Sequence, residues 1–180
     1  VNAIVGGLAL DTARTSSLTL VAEDSAGINT GTITATGALA SLSLSSAAGA
    51  ASTIGAVVDG TNLETLSISS TGTSSTATIG ALGGTTDAAL TALTISAAGT
   101  STTTVDAINS DQSSTLTSVS ISAADANSTV DLAGSAITFG SGKITSLGIT
   151  VGDNASLTFV DQTITSGAIT TATISLGDFA

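Results

Sequence analysis

One pattern recurs along the chain and narrows what it can fold into. An apolar residue is followed by two small or polar residues, a second apolar residue, one polar residue, and then Leu or Ile. It reads Leu39-x-x-Leu42-x-Leu44, Leu63-x-x-Leu66-x-Ile68 and Leu90-x-x-Leu93-x-Ile95, and continues as Leu116-x-x-Val119-x-Ile121 and Ile144-x-x-Leu147-x-Ile149. Degenerate copies open the series at Thr15-x-x-Leu18-x-Leu20 and close it at Ile169-x-x-Ala172-x-Ile174. The copies start at 15, 39, 63, 90, 116, 144 and 169, so the spacings are 24, 24, 27, 26, 28 and 25 residues. Self-similarity at a nearly fixed period in this range marks a repeat architecture and is weighed before any other fold signal.

The residue types within each copy point to strands. Thr, Val and Ile are frequent, and apolar residues alternate with Ser or Thr, as in Leu42-Ser43-Leu44 and Leu66-Ser67-Ile68. Most copies carry a second apolar cluster, such as Ile54-Gly55-Ala56-Val57, Ile79-Gly80-Ala81-Leu82 and Val105-Asp106-Ala107-Ile108. A unit of two or three short strands cannot bury its apolar face alone, whereas a neighbouring unit stacked on top covers it. The expectation is an all-β fold: a right-handed parallel β-solenoid (β-helix) of about seven coils of ~26 residues, spanning on the order of 34 Å. Its inward columns would be Leu42, Leu66, Leu93, Val119 and Leu147, and beside them Leu44, Ile68, Ile95, Ile121 and Ile149.

The competing architecture is a β-sandwich of the bacterial immunoglobulin-like kind. Such domains usually carry a core Trp or Tyr and loop Pro, and their strands do not recur at one period. This chain has no Trp, Tyr or Pro. Pro cannot donate to a ladder whose interior strands have two neighbours, so its absence suits the solenoid. Residues 1–14 read as an entry segment or preceding coil, and 15–180 as the repeats. The second clusters drift in phase toward the end, so a change of β arrangement after about residue 130 is also expected. The chain opens at Val1 without a basic leader-like segment and reads as a fragment of a longer protein.

Composition excludes several functions. No Cys or His is present, which removes zinc sites, haem ligation, disulfides and the usual nucleophilic triads. Two cations stand against 13 carboxylates, for a net charge of −11, so a nucleic-acid backbone or a polybasic membrane contact is not expected. Insertion into a membrane is not expected either: apolar stretches are short, and the aromatic girdles of an outer-membrane barrel cannot be built without Trp and Tyr. Carbohydrate-cleaving β-helices need aromatic platforms and cationic residues that are nearly missing here. No enzymatic activity is expected.

The carboxylates carry the remaining chemistry. Nine residues after the repeat start lie Asp24, Asp125, Asp153 and Asp178, with Ala48, Gly72 and Gly99 at the same phase elsewhere. A looser set follows Val: Val58-Asp59, Val105-Asp106, Val130-Asp131 and Val160-Asp161. Stacked carboxylates repel unless solvated or bridged, and calcium takes six to eight oxygens from such groups. Candidate calcium ligands are therefore Asp24, Asp106, Asp125, Asp131, Asp153, Asp161 and Asp178, with Glu23, Asn109, Asp111, Asn127 and Asn154 as possible additions. The plainer reading is that Asp and Asn mark turns, where they tolerate left-handed backbone and cap themselves, and that exposed acid keeps the rod soluble. Thr-x-Thr ladders of the ice-binding kind are a third consideration. Thr34/Thr36, Thr76/Thr78 and Thr171/Thr173 fall at phases +19, +13 and +2, so these three pairs are not expected to share a face.

Runs such as 90–99 (Leu-Thr-Ala-Leu-Thr-Ile-Ser-Ala-Ala-Gly) and 116–125 (Leu-Thr-Ser-Val-Ser-Ile-Ser-Ala-Ala-Asp) resemble those of bacterial surface-layer proteins. The likeness is to the large, acidic, cysteine-free ones exported by type I secretion in Gram-negative bacteria, and similar runs occur in giant repetitive adhesins. It covers about residues 15–175 and is one of composition and repeat style. The resemblance implies β-solenoid and β-sandwich segments, calcium-dependent assembly and a self-associating lattice on the bacterial cell surface. It also implies that another part of the protein contacts cell-surface polysaccharide. The Gly-Gly-x-Gly-x-Asp nonapeptide of calcium-binding type I-secreted proteins is absent, so its ligands are not carried over. The expected function is a structural segment of such a lattice. The alternatives are an adhesin stalk and an ice- or polymer-binding solenoid.

Overall fold

The computed structural model describes residues 2–4, 14–35, 38–59, 62–81, 90–107, 116–132, 138–139, 144–159, 163–164 and 169–178. Within them lie sixteen strands and no helix. In chain order they are β1 (Asn2–Ile4), β2 (Ser17–Ala22), β3 (Gly27–Ala35), β4 (Ser41–Ala47), β5 (Ala51–Asp59), β6 (Thr65–Thr71), β7 (Thr76–Ile79) and β8 (Ala92–Ala98). They continue as β9 (Thr102–Val105), β10 (Ser118–Ala123), β11 (Thr129–Leu132), β12 (Thr138–Phe139), β13 (Ser146–Val151), β14 (Ser156–Phe159), β15 (Thr163–Ile164) and β16 (Thr171–Leu176).

Alternate strands join alternate sheets, and every pairing is parallel. One seven-stranded sheet runs β2-β4-β6-β8-β10-β13-β16. The other runs β1-β3-β5-β7-β9-β11-β14, and β12 pairs β15 in a third, two-stranded sheet. This is a β-solenoid. The repeat sets the register of the first sheet directly: Leu18, Leu42, Leu66, Leu93, Val119, Leu147 and Ala172 are successive Cα partners. Leu20, Leu44, Ile68, Ile95, Ile121, Ile149 and Ile174 form the next inward column. A one-residue slip would turn both columns to solvent, so burial locks the pairing. After residue 130, β13, β14 and β16 continue these two sheets, while β12 and β15 make up the third.

The core is narrow and aliphatic. Leu42, Leu44, Leu66, Ile68, Leu93, Ile95, Val119 and Ile121 from the first sheet meet Ile54, Ile79, Val105, Val130 and Leu132 from the second. The first apolar residue of the five central repeats also stacks inward: Leu39, Leu63, Leu90, Leu116 and Ile144 are all buried. Each Leu or Ile fully withdrawn from water contributes about 1.5–3 kcal/mol, and the ladder repeats that gain coil after coil.

A corner falls within the two long strands of the second sheet, β3 and β5. Burial alternates up to Thr30 and Ile54, then two consecutive residues are not buried before Ile33 and Val57 turn inward again. Gly31 and Gly55 sit at that break, next to each other in the stack, and Gly80 follows. A Cβ on Gly80 would run into the Gly55 carbonyl, so the backbones approach too closely there for a side chain.

Candidate functional site

The opposite corner joins the first sheet to the second and holds most of the candidate acids. Its geometry is a stack of tight turns. Ala26 N–H donates to Glu23 O (2.9 Å), Ala50 N–H to Ala47 O (3.0 Å), Ser128 N–H to Asp125 O (2.9 Å) and Ala155 N–H to Gly152 O (3.2 Å). The chain reverses within four residues, which requires positive φ. That falls on Asp24 (52°) and Ser25 (62°), on Ala48 (52°) and Gly49 (82°), and on Asn127 (63°) and Asn154 (54°). Asn and Asp accept this conformation more readily than other side-chain-bearing residues. The turn after β10 is one residue longer than the turn after β13, because Ala123 pairs with Val151 but Thr129 pairs with Ser156. Asp125 and Asp153 share a repeat phase, yet they occupy different positions in their turns.

The carboxylates of those two residues point along the stack in opposite directions. Asp125 Oδ2 accepts the Gly99 N–H of the preceding coil at 2.9 Å. Asp153 Oδ1 accepts the Asp178 N–H of the following coil at 2.8 Å. Asp24, Asp125, Asp153 and Asp178 are all exposed, and Asp125, Asp153 and Asp178 lie on consecutive coils. Asp24 lies several coils away at the other end of the corner. Among the described residues, no group of three or more acidic side chains is close enough together to hold a metal ion. The residues present therefore offer acidic pairs rather than a cage. A calcium ion at Asp153 and Asp178 would draw its remaining oxygens from turn carbonyls and water.

Among the described residues, Asp106 and Asp131 of the looser set do not stack on each other. Asp106 follows β9 at the glycine corner, its amide donating to Ile79 O at 3.0 Å, one coil beyond the Gly80 N–H that donates to Ile54 O at 2.9 Å. Asp131 lies within β11 on the outward face, paired with Thr104 and Thr158 instead of with Asp106. Asp161, Asn109 and Asp111 lie outside the described residues. Asn127 and Asn154 hold the left-handed turn positions.

Several working side chains carry hydroxyls and are not apparent from acid spacing alone. Ser75, Ser101 and Ser128 are buried at the turn, one residue before β7, β9 and β11. Ser101 Oγ donates to Ala98 O (2.8 Å) and accepts Ala98 N–H (3.2 Å), closing the turn on itself. Ser128 does the same with Asp125, at 2.6 and 3.2 Å. In the core, Ser70 Oγ bonds Ser101 Oγ (3.0 Å) and Thr103 Oγ1 (2.7 Å), tying the two sheets together. Just before the strands of the first sheet, one residue after the repeat start in the last four copies, runs a threonine ladder. Thr91 Oγ1 donates to Glu64 O (3.1 Å), Thr117 to Thr91 O (3.1 Å), Thr145 to Thr117 O (3.2 Å) and Thr170 to Thr145 O (2.9 Å). Aligning the repeats at that position would have revealed it.

The outward faces differ in kind. In the first sheet, consider the columns through Ser41, Ser43 and Ser45. Apart from Val21, Ala92 and Gly148, every residue in them is Ser or Thr, and none is charged. In the second sheet, Thr76, Thr102, Thr129 and Ser156 form one column, and Thr53, Thr78, Thr104, Asp131 and Thr158 the other. Thr76 and Thr78 do not share a face with Thr171 and Thr173, which lie in the first sheet. They do align with Thr102 and Thr104, a pairing that a search for isolated Thr-x-Thr triplets overlooks. Comparison with protein-family models, curated proteins and solved structures finds no match for this chain.

Proposed function

We propose that this chain is a non-catalytic structural segment of an extracellular lattice of the bacterial surface-layer kind, with calcium bridging acids at the turn corner. The observation that carries the reading is the repetition of one outward face. Seven parallel strands present the same largely Ser/Thr, uncharged surface in register, while the acids among the described residues lie on corners and on the other sheet. In a protein of net charge −11, a charge-free side is where like molecules approach with least repulsion. Divalent cations would lower the remaining repulsion between acidic corners.

The test is electron microscopy of the purified protein with calcium, beside melting curves in calcium and in EGTA. Ordered two-dimensional sheets and a melting temperature raised by several degrees in calcium are expected. A chain that stays monomeric and extended in calcium overturns the lattice reading and points to a stalk, which uses the same rod as a spacer. An unchanged melting temperature removes calcium from the proposal.

A further inference from the structure

Two short motifs lie in the turns of the acidic corner and play no part in the lattice reading. They are Asn127-Ser128-Thr129 and Asn154-Ala155-Ser156. Each has the form Asn-x-Ser/Thr with no Pro between, the acceptor sequence for an N-linked sugar. A chain rich in Ser and Thr produces this triplet by composition too, so placement in the fold carries the argument. Asn2, Asn29 and Asn62 have Ile4, Gly31 and Glu64 two residues on and lack the motif.

Both motifs fall at turn tips. Asn127 and Asn154 hold the left-handed positions, with φ of 63° and 54°, and both are exposed. Neither carboxamide makes a hydrogen bond among the described residues. The middle residue of each motif, Ser128 or Ala155, is buried, while Thr129 is half-buried and Ser156 exposed. The acceptor amide and the hydroxyl two residues on are thus presented to solvent, and the side chain between them is the one anchored inward. The motifs also stack: Asn127 N–H donates to Asn154 O at 2.9 Å, and Thr129 is the Cα partner of Ser156. A sugar on either Asn displaces nothing from the core and breaks no side-chain hydrogen bond. It projects from the corner instead of from the Ser/Thr face of the first sheet.

We propose that Asn127 and Asn154 are acceptor sites for N-linked glycosylation, the donor being a sugar activated at its anomeric carbon as a phosphate ester. In the transfer, Asn Nδ2 attacks the anomeric carbon and a C–N bond forms. The C–O bond to the phosphate breaks, the phosphate group leaves with the electron pair, and one amide proton passes to a base of the transferase. Nothing is oxidised or reduced. Asp125 stands two residues before Asn127, whereas Gly152 holds that place before Asn154. A transferase that also reads a carboxylate there takes Asn127 alone. The proposal does not depend on whether the rod serves a lattice or a stalk.

The spacing of the acids makes a direct test available. Cleavage before Asp releases the two motifs as separate peptides, 125–130 and 153–160. Mass spectrometry of these peptides, from protein isolated from the cells that make it, should show a sugar on Asn127, on Asn154 or on both, and none on Asn29 or Asn62. A single hexose marks a nucleotide-sugar donor, and a preassembled oligosaccharide of fixed composition marks a lipid-linked one. Thr129→Ala and Ser156→Ala leave each Asn in place and should abolish the sugar at Asn127 and Asn154 respectively. Thr129→Ser keeps the hydroxyl and should keep the sugar, which separates loss of the motif from loss of the fold. Bare peptides at both sites overturn the proposal. So does sugar that survives both hydroxyl substitutions, or equal addition at Asn29 and Asn62.

Discussion

Ser46 and Ser70 are neighbours in one inward column, and their hydroxyls have opposite fates. Ser70 Oγ bonds Ser101 and Thr103, whereas Ser46 Oγ is buried with no hydrogen-bond partner, as are Ser52 Oγ and Thr30 Oγ1. A buried hydroxyl left unpaired costs about 1–3 kcal/mol, while a paired one contributes about 1 kcal/mol. Ser46→Ala should therefore raise stability by about 1 kcal/mol, and Ser70→Ala should lower it by about 1–2 kcal/mol. Melting curves of the two variants check this, since the shifts have opposite signs. The column already tolerates Ala at 22, 97 and 123. Sequence shows both serines as alternating polar positions and cannot separate them. The difference arises because Ser70 lies within reach of Ser101 and Thr103, some thirty residues on, across the core.

Turns and edges decide the behaviour of the elements. Gly99 has φ +73°, and a Cβ there would lie 2.7 Å from the Gly72 carbonyl oxygen. Gly99→Ala should cost at least about 2 kcal/mol, from left-handed backbone and overpacking together. At Gly148 an added Cβ meets nothing closer than Val119 O at 3.9 Å, so Gly148→Ala should stabilise β13 by about 0.5–1 kcal/mol. Denaturant midpoints of the two variants give the comparison. Asn154 separates the two readings of the acidic corner. If it serves only the turn, Asn154→Gly leaves the melting temperature unchanged or raised, equally in calcium and in EGTA. If its side chain holds calcium, the loss appears in calcium alone. Strand positions in the first sheet were legible because the repeat copies are nearly invariant there. The second clusters drift because turn lengths differ: Val130 pairs with Thr103, not with Val105.

At the scale of the whole molecule, the stack behaves as a one-dimensional array in which each coil touches only its neighbours. Deleting one whole repeat, residues 63–89, should bring β4 against β8 with both inward columns in phase. The rod should shorten by about 4.8 Å, with the parallel-strand signature kept. Small-angle scattering and circular dichroism measure both. A collapsed or aggregated product would show that the coils are not interchangeable.

The sequence by itself determined that the chain stacks on itself. A period of about 26 residues, alternation of apolar with Ser or Thr, and a lack of Pro leave a parallel ladder as the arrangement that buries every copy alike. It also determined which Leu, Ile and Val form the two columns of the first sheet. Only the tertiary structure decided which acids share a turn, where their oxygens point and which serines are paired. Those properties depend on distances between residues a full coil or more apart. A change of one residue in turn length alters them without altering the repeat.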